Sequence, residues 1–410
     1  MSIGEILPIR VFKVRNLERM KVLQIVKTVV GAKWAYEQVR VLCSLGIEIV
    51  VALPSETAGL APLYRKAGAD VVRADLDFPA RSPWLLTARL QAYRELVRRV
   101  QPDLIHTYHV GTMLALRLAL GKKSAIPRVY QVTGPLHLEH KLFAALDVHT
   151  AGPQDRWIAT CKWTERKYHE LGIAPSRVFL SYSGTDLGLF YETRAGLLRE
   201  ELRISNRTPL VGMVCYIYAP KRFLGHVRGV KGHEDFFAAL RLAHQARPEI
   251  RGVIIGGAWG NAQWYEKRLR RLGAEICDGF LTFLGTRSNV PALYPDLDLA
   301  VVPSNSENVG GAVEPLLSGV PVVATNVGGL PDLVIQNETG WLVSPRDPRA
   351  LAQSILEVLA NPDEARRRAL AGQKLARRLF DVGTTAREVA AIYKKIMSEH
   401  RGHGSEYRCA

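Results

Sequence analysis

Short apolar runs rich in β-branched residues alternate along the chain with longer amphipathic segments. This alternation is typical of a parallel β-sheet covered by helices, because each crossover between parallel strands needs a helix-length connection. Between the first two runs, Ala35–Leu45 has helical periodicity and ends at Gly46. The apolar runs of the first half predict strands at Lys21–Val26, Ile47–Leu53, Asp103–Thr107, Arg128–Val132 and Trp157–Ala159.

The same rhythm begins again after a mixed, polar stretch within residues 184–210. Its apolar runs predict strands at Leu210–Tyr216, Gly252–Ile255, Leu281–Leu284, Leu299–Val302 and Val320–Ala324. A chain of 410 residues, at roughly 150 residues per domain, has room for two or three domains. We therefore predict an α/β protein with one doubly wound domain over residues 1–195, a second over 208–375, and a C-terminal helix and tail over 376–410. Residues 1–19 are an appended strand-like arm or a non-native start.

Positive charge is the unusual bulk property of the sequence. Lys and Arg number 55 against 39 Asp and Glu, which gives a net charge of +16. Such an excess attracts polyanions, although a solvated basic surface explains it equally well. The five cysteines are far apart and form no C-x-x-C pair, so we expect reduced thiols. No run approaches the roughly 20 apolar residues of a membrane span, and no secretory signal pattern is present, which predicts a cytosolic protein.

The most informative segment is residues 299–330, LAVVPSNSENVGGAVEPLLSGVPVVATNVGGL. It predicts a strand, then a polar loop, then a short helix from about Val309 to Ser318 that ends at Gly319. Gly310 and Gly311 leave backbone N–H groups uncovered at the start of this helix. A helix N-terminus of this kind is a ready binding site for an anion.

Two glutamates, Glu307 and Glu314, flank this helix N-terminus. A phosphate does not explain them, since carboxylates repel it, whereas a carboxylate accepts two hydrogen bonds from a vicinal diol. An anion site beside diol acceptors suits a nucleotide-sugar. The alternative interpretation is an acidic first turn and a partly exposed helical glutamate.

This segment strongly resembles the retaining glycosyltransferases of family 4 (group 1), which have the GT-B fold. The resemblance implies that Glu314 holds the ribose diol and that Glu307 holds the transferred sugar. The family usually places seven residues between these glutamates and this chain has six, so alignment from Glu314 puts Ser306 at the first position. The motif residues are Pro303, Ser304, Glu307, Gly310, Glu314, Gly319 and Pro321–Ala324, and the implied donor contacts include Asn308, Val309, Gly310 and Gly311.

The start of the second half carries a further resemblance. Family members end its first strand with an arginine and place a Lys-Gly shortly after, and these cations bind the donor diphosphate. Lys231 matches the family lysine. The arginine position falls on Cys215 or Tyr216, and Lys221 or Arg222 is the candidate replacement.

Three further residues match family positions around the cleft. Gly257, in the GGAWG turn, matches a glycine turn near the nucleotide base. Gly31 matches the turn after the first strand, where the second glycine of the family is absent and Lys33 intrudes. His109 follows the DLIHTYH strand, where the family often has a cleft histidine, and His137 is a displaced candidate for a second one.

The resemblance implies two Rossmann-like domains facing a central cleft, with a C-terminal helix that crosses back to the first domain. The implied reaction moves a sugar from a nucleotide-diphosphate sugar to an acceptor hydroxyl with retention of configuration, in bacterial cell-surface polysaccharide or glycolipid synthesis. The implied catalytic residues are Glu307, Glu314 and His109. We expect no cofactor and no metal ion, because the D-x-D pairs at Asp75 and Asp296 suit caps or turns.

The expected partners are the donor, a lipid-linked or saccharide acceptor, and an anionic membrane touched peripherally at its cytoplasmic face. Nucleic acid is not expected, because the basic residues are dispersed and not interleaved with aromatic residues. Two alternatives stay open. One is a sugar-nucleotide epimerase of the same fold, and the other is a non-catalytic basic protein that binds polyanions.

Overall fold

Two separate parallel sheets form the two halves of the protein. The computed structural model describes residues 20–79, 82–190 and 195–406, so the predicted arm over residues 1–19 lies outside the described residues. The first sheet has the order β3-β2-β1-β4-β5-β6-β7. Its strands are Lys21–Ile25 (β1), Glu48–Leu53 (β2), Asp70–Arg73 (β3), Leu104–Thr107 (β4), Arg128–Val132 (β5), Asp155–Ala159 (β6) and Val178–Leu180 (β7).

The second sheet has the order β10-β9-β8-β11-β12-β13. In both sheets the strand order reverses beside the first strand, and ligands of open α/β sheets bind at such a point, beyond the carboxyl ends of the strands. The strands of the second sheet are Leu210–Val214 (β8), Arg251–Ile255 (β9), Leu281–Gly285 (β10), Leu299–Val302 (β11), Val322–Thr325 (β12) and Trp341–Val343 (β13).

Helices cover both sheets and connect successive strands. Those of the first domain are Lys33–Ser44 (α1), Ala61–Lys66 (α2), Leu86–Val100 (α3), Val110–Leu120 (α4), Lys141–Thr150 (α5) and Lys162–Glu170 (α6). The later helices are Leu197–Leu202 (α7), His233–Ala246 (α8), Gln263–Cys277 (α9), Gly310–Leu317 (α10), Pro348–Ala360 (α11), Pro362–Phe380 (α12) and Val382–Glu406 (α13). Across the described ranges, no helix combines the length and the apolar composition that crossing a bilayer requires.

The predicted strands follow from burial on both faces. Central strands such as β4 and β11 are buried at every position, which produces the continuous apolar runs seen in the sequence. The short strands β3, β7 and β13 are not among the predicted strands. They lie at sheet edges and have three or four residues each, and runs of that length carry little periodicity.

The C-terminal helix crosses back to the first domain, as predicted. Helix α12 packs on α10 of the second domain, whereas α13 packs on α1 of the first. The two crossing segments run side by side, since Thr185 donates to the carbonyl of Phe380 at 2.8 Å and Val382 donates to that of Thr185 at 3.1 Å. At Gly184 a Cβ atom would lie 2.6 Å from the Cα of Val382, so this close approach requires glycine.

A buried polar cluster attaches α13 to the first sheet. The hydroxyl of Tyr393 on α13 lies beside Nδ1 of His106 on β4, and Nε2 of Gln24 on β1 donates to it at 3.4 Å. All three side chains are fully buried. Because buried polar groups are costly unless they are hydrogen-bonded, the cluster fixes the helix at one position on the sheet.

We predict that His106 makes the protein sensitive to mild acid. Burial lowers the pKa of His106 from 6.5 to about 3. Between these two pH values the unfolded chain therefore binds one more proton than the folded chain. The stability that depends on neutral His106 is therefore complete above pH 6.5 and is lost progressively as the pH falls toward 3. Between pH 6.5 and 5, wild type should lose about 2 kcal/mol more than the His106→Gln variant.

Urea unfolding of both proteins at the two pH values measures this difference. Equal losses of unfolding free energy in wild type and variant would contradict the assignment of a neutral, buried His106.

Candidate active site

A buried ion pair joins two loops at the carboxyl edge of the second sheet. Lys231, in the loop before α8, forms an ion pair with Oε2 of Glu307, in the loop between β11 and α10. Ser304 donates to the same oxygen at 3.0 Å. Burial opposes the charge of Lys231, but the Glu307 carboxylate outweighs it and raises the pKa of Lys231. Two residues predicted separately from the sequence thus contact each other directly.

Glu314 lies within α10 and faces Tyr294. The Tyr294 hydroxyl donates to Oε2 of Glu314 at 3.2 Å. Burial raises the pKa of Glu314, and the Tyr294 hydrogen bond and the positive charge of Lys33 act in the opposite direction. Tyr294 is not among the residues predicted from the sequence, because no local pattern connects its loop with α10.

Helix α10 begins at Gly310, one residue from the predicted position. Val309 precedes it without a side-chain cap, and the Val309 side chain is buried in the core. Gly310 and Gly311 therefore present backbone N–H groups at the helix N-terminus. Asn308 was expected to contact the nucleotide-sugar. In the structure its Nδ2 instead donates a hydrogen bond across the cleft to Oγ1 of Thr160 at 2.8 Å.

The expected arginine position holds no cation. The thiol of Cys215 lies 3.7 Å from Nε2 of His233, and the ring of Tyr216 packs against that of Trp259 at a centroid distance of 4.8 Å. Of the two candidate replacements, Lys221 has a pKa that is lowered by removal from water and by the positive charge of Lys27. Arg222 instead lies over the ring of Trp264, 6.0 Å from its centroid.

The two glycine turns have different surroundings. The carbonyl of Gly257 accepts a backbone hydrogen bond from Ile217 at 2.9 Å, so this turn extends the pairing beyond β8 and β9. Gly31 has a positive φ of 77°, and a Cβ atom there would collide with the indole of Trp259. The first domain thus contacts the second directly at this turn, which explains why a glycine is required.

His109 caps α4 with extended backbone and has a buried Nδ1 without a hydrogen-bond partner. Burial, together with the charge of Lys27, lowers the pKa of His109 to about 3. The imidazole is therefore neutral near pH 7.

His137 is not a cleft residue, which corrects its status as a candidate. It is buried, and its Nε2 lies 3.1 Å from the Asp147 carboxylate and 3.3 Å from the Tyr168 hydroxyl. These contacts hold the loop after β5 in place. Two residues later, Glu139 accepts a hydrogen bond from Ser306 of the second domain at 2.9 Å. The sequence signal for Glu139 was only its place in a His-x-Glu-His run.

A pocket of about 610 Å³ lies between the domains beside this contact. Asp332 closes one side of it, accepting hydrogen bonds from the backbone N–H of Lys162 at 2.7 Å and from the Tyr182 hydroxyl at 3.0 Å. The pocket is lined by Glu139, Lys162, Trp163, Asn305, Asn326 and Asp332, among others. The cleft is therefore bounded by polar side chains from both domains.

The aspartate pair at Asp296 and Asp298 has a structural role. Asp296 accepts from the backbone N–H groups at the start of α7, including that of Leu198 at 2.6 Å. Asp298 accepts from the backbone of Leu210 at 2.7 Å and pairs with Arg199. Asp296 thus caps α7, and Asp298 holds the start of β8. Among the described residues, no group of three or more His, Cys, Asp or Glu is placed to hold a metal ion.

Comparison with known proteins identifies the family. A family model described as "Glycosyl transferases group 1" matches residues 222–375, and one described as "Glycosyltransferase Family 4" matches residues 31–189. The chain belongs to the family 4 (group 1) glycosyltransferases. This confirms the family predicted from the loop motifs and the GT-B fold that it implied.

Individual relatives of this glycosyltransferase are distant. The D-inositol 3-phosphate glycosyltransferase of Thermobispora bispora is 30% identical over 309 residues, which are 73% of this chain and 66% of the relative. The lipopolysaccharide core biosynthesis mannosyltransferase LpsB of Rhizobium meliloti is 32% identical over 187 residues, 43% of this chain and 52% of the relative. The chain spans between about half and two thirds of the length of these proteins.

The crystal structure of Anabaena Alr3699/HepE in complex with UDP has a TM-score of 0.75 and 22% identity, and the match covers 92% of this chain and 99% of that one. At this identity the likeness shows the fold.

We predict that breaking the Lys231–Glu307 ion pair from either side destabilises the protein. Removal of one partner leaves a buried, unpaired charge, which typically costs about 3 kcal/mol or more. Lys231→Met and Glu307→Gln should each lower the free energy of unfolding by about this amount, and the double variant should lose less than the sum.

Thermal unfolding monitored by circular dichroism measures the effect. Glu249→Gln is the matched control, because Glu249 pairs with Arg247 at the surface and should change stability little. Fully additive losses in the double variant would contradict a direct interaction.

Proposed function

We propose that this glycosyltransferase moves a sugar from a nucleotide-diphosphate sugar to an acceptor hydroxyl with retention of configuration. The observation that carries the proposal is the joint placement of the Lys231–Glu307 pair, the uncapped N-terminus of α10 and Glu314 at one sheet edge. Cations and backbone N–H groups suit a diphosphate, and the carboxylates suit sugar and ribose hydroxyls.

The leaving group is the nucleoside diphosphate. As the bond from the anomeric carbon to the β-phosphate oxygen breaks, negative charge develops on the diphosphate. Lys231, Lys221 or Arg222, and the N–H groups of Gly310 and Gly311 stabilise that charge. These groups are positioned before the reaction begins, so little reorganisation is needed. The proposal assigns the cationic role to side chains and not to a metal ion.

The carboxylates bind hydroxyl groups. Glu314 accepts hydrogen bonds from the ribose diol, and the charge of Lys33 favours its ionised form against the effect of burial. Glu307 accepts from the sugar, and its negative charge stabilises the oxocarbenium-like transition state of glycosyl transfer. His109, neutral and with an unpartnered Nδ1, offers a further hydrogen bond to the sugar.

Retention follows if the acceptor attacks from the face that the diphosphate leaves. The acceptor oxygen then bonds to the anomeric carbon, and its proton passes to the departing phosphate oxygen. This route balances the atoms without a protein nucleophile. NMR spectroscopy of the product reports its anomeric configuration and so distinguishes retention from inversion.

The names of two relatives support the proposed class of acceptor. One acts on a cyclitol phosphate by its name and another builds a lipopolysaccharide core. We therefore propose a saccharide or lipid-linked acceptor in bacterial cell-surface synthesis. Both halves of the chain match transferase models, which favours transfer over epimerisation. The buried ion pair at the sheet edge is also unlike the exposed basic surface of a protein that only binds polyanions.

We further propose a peripheral contact with an anionic membrane. On α5, Leu142 and Leu146 are 59% and 39% exposed, and they lie one turn apart on the same helix face. Lys141 begins this helix. Exposed leucines beside a lysine, in a chain of net charge +16, match the apolar and anionic layers of a membrane surface.

We predict that one nucleoside diphosphate stabilises the protein selectively. A thermal-shift panel of UDP, GDP and ADP and their sugars should give a clear rise in melting temperature with one base, since binding to the folded state stabilises it.

Glu314→Ala should keep the fold and lower the rate of sugar transfer by about a hundredfold. Glu338→Ala, at an exposed turn of the same domain, is the control. An equal small shift with every anion would contradict a donor site.

We predict that vesicle binding depends on the exposed leucines of α5. The double variant Leu142→Ser/Leu146→Ser should bind vesicles of equal parts phosphatidylglycerol and phosphatidylcholine at least tenfold more weakly. The reason is that burying each leucine side chain in the membrane contributes about 1.5 kcal/mol or more to binding. Co-sedimentation measures this. Leu370→Ser is the matched control, as Leu370 is 54% exposed on the second domain. If the wild-type protein stays in the supernatant, the membrane proposal is wrong.

A further inference from the structure

The second domain lacks the family arginine at the place where a diphosphate would lie. The position of the family arginine is held by Cys215 or Tyr216, and neither is positively charged. Lys231 is already paired with Glu307, so much of its charge is neutralised. A nucleoside diphosphate carries two or more negative charges, and the paired Lys231 does not balance them by itself.

The loop between β1 and α1 of the first domain reaches across the cleft at this place. Its Gly31 lies so close to the indole of Trp259 that no side chain fits between them. Trp259 in turn packs on Tyr216, which is one of the two residues at the arginine position. The loop is thus held by direct contact beside the site where the cation is missing.

This loop carries a lysine at each end. Lys27 follows β1, and Lys33 is the first residue of α1. The positive charge of Lys27 acts across the cleft on Lys221, where it adds to burial in lowering the pKa. The charge of Lys33 acts on Glu314, where it opposes the rise in pKa caused by burial. Both lysines flank Gly31 in the sequence, and the contact of Gly31 with Trp259 places this loop against the second domain. The two charge effects agree with that placement.

These lysines have little acidic compensation. Within residues 20–79, 82–190 and 195–406, neither Lys33 nor Lys221 forms an ion pair. Lys27 forms an ion pair with Asp77 at 3.6 Å, which solvent screens because the two side chains are 38% and 50% exposed. Like charges that face each other cost free energy, and an anion placed between them removes this cost.

We propose that Lys27 and Lys33 of the first domain complete the diphosphate site across the cleft, taking the place of the missing arginine of the second domain. This inference rests on the proposed function. It makes the leaving-group site a product of both domains: Lys221 and Lys231 approach the diphosphate from one side, and Lys27 and Lys33 approach it from the other.

The test measures the affinity of single variants for nucleoside diphosphates. UDP, GDP and ADP are titrated into wild type by calorimetry, and the one that binds is carried forward with its parent nucleoside. Lys27→Ala and Lys33→Ala should each weaken diphosphate binding roughly tenfold, the usual effect of losing one charged hydrogen-bond partner. Binding of the nucleoside should stay unchanged. Lys33→Arg should retain most of the affinity.

Lys66→Ala is the matched control, because Lys66 is an exposed lysine of α2 in the same domain. A shallower dependence of diphosphate affinity on salt in the two variants would further support a direct charge contact, since a structural role would not change it. Circular dichroism checks that each variant is folded.

The outcomes separate the two claims. If wild type binds a diphosphate and the Lys27 and Lys33 variants bind it as tightly as Lys66→Ala, the inference is overturned and the proposed function stands. If the variants lose nucleoside binding to the same extent as diphosphate binding, the lysines support the fold and the inference is again overturned. If wild type binds none of the three diphosphates, both claims fail.

Discussion

The pairing of Lys231 with Glu307 is the interaction on which the rest of the site depends. It ties the loop that follows β8 to the loop that follows β11, at the point where the strand order of the second sheet reverses. Neither charge is tolerable alone in this environment, because burial penalises an unpaired ion heavily. The two loops must therefore take up one relative position, and α10 starts from that position.

Polar contacts between the domains extend this arrangement across the cleft. Asn308 bonds Thr160, Ser306 bonds Glu139, and Asp332 holds the start of α6. All of these connect loops after β11 or β12 with loops after β5 or β6. Each of these contacts is a single hydrogen bond of modest net strength. Apolar residues of the first domain, such as Cys161 and Tyr182, also pack into the core of the second domain.

The sequence was sufficient for the fold and for the second-domain loops, for a physical reason. Strands such as β5 and β11 are buried on both faces, so their apolar runs are continuous, and α10 is marked by the glycines at its start and end. Lys231, Glu307 and Glu314 were predicted from the family motifs that they match, and the structure brings Lys231 and Glu307 into direct contact. Contacts between distant loops could not be predicted from the sequence. Tyr294, Glu139 and Trp259 contact residues far along the chain, and no local pattern indicates those partners. His137 was misplaced for the same reason, as its partner Asp147 gives no local signal.

The return of α13 to the first domain has a consequence for synthesis. The core of that domain includes Ala386, Val389 and Tyr393, which the ribosome adds after the entire second domain. Domains made first usually fold first, but here the first domain keeps an open apolar groove until α13 emerges. The second domain is the part that can finish early. During that interval a nascent chain exposes the surface of β1 and α1 that α13 later covers.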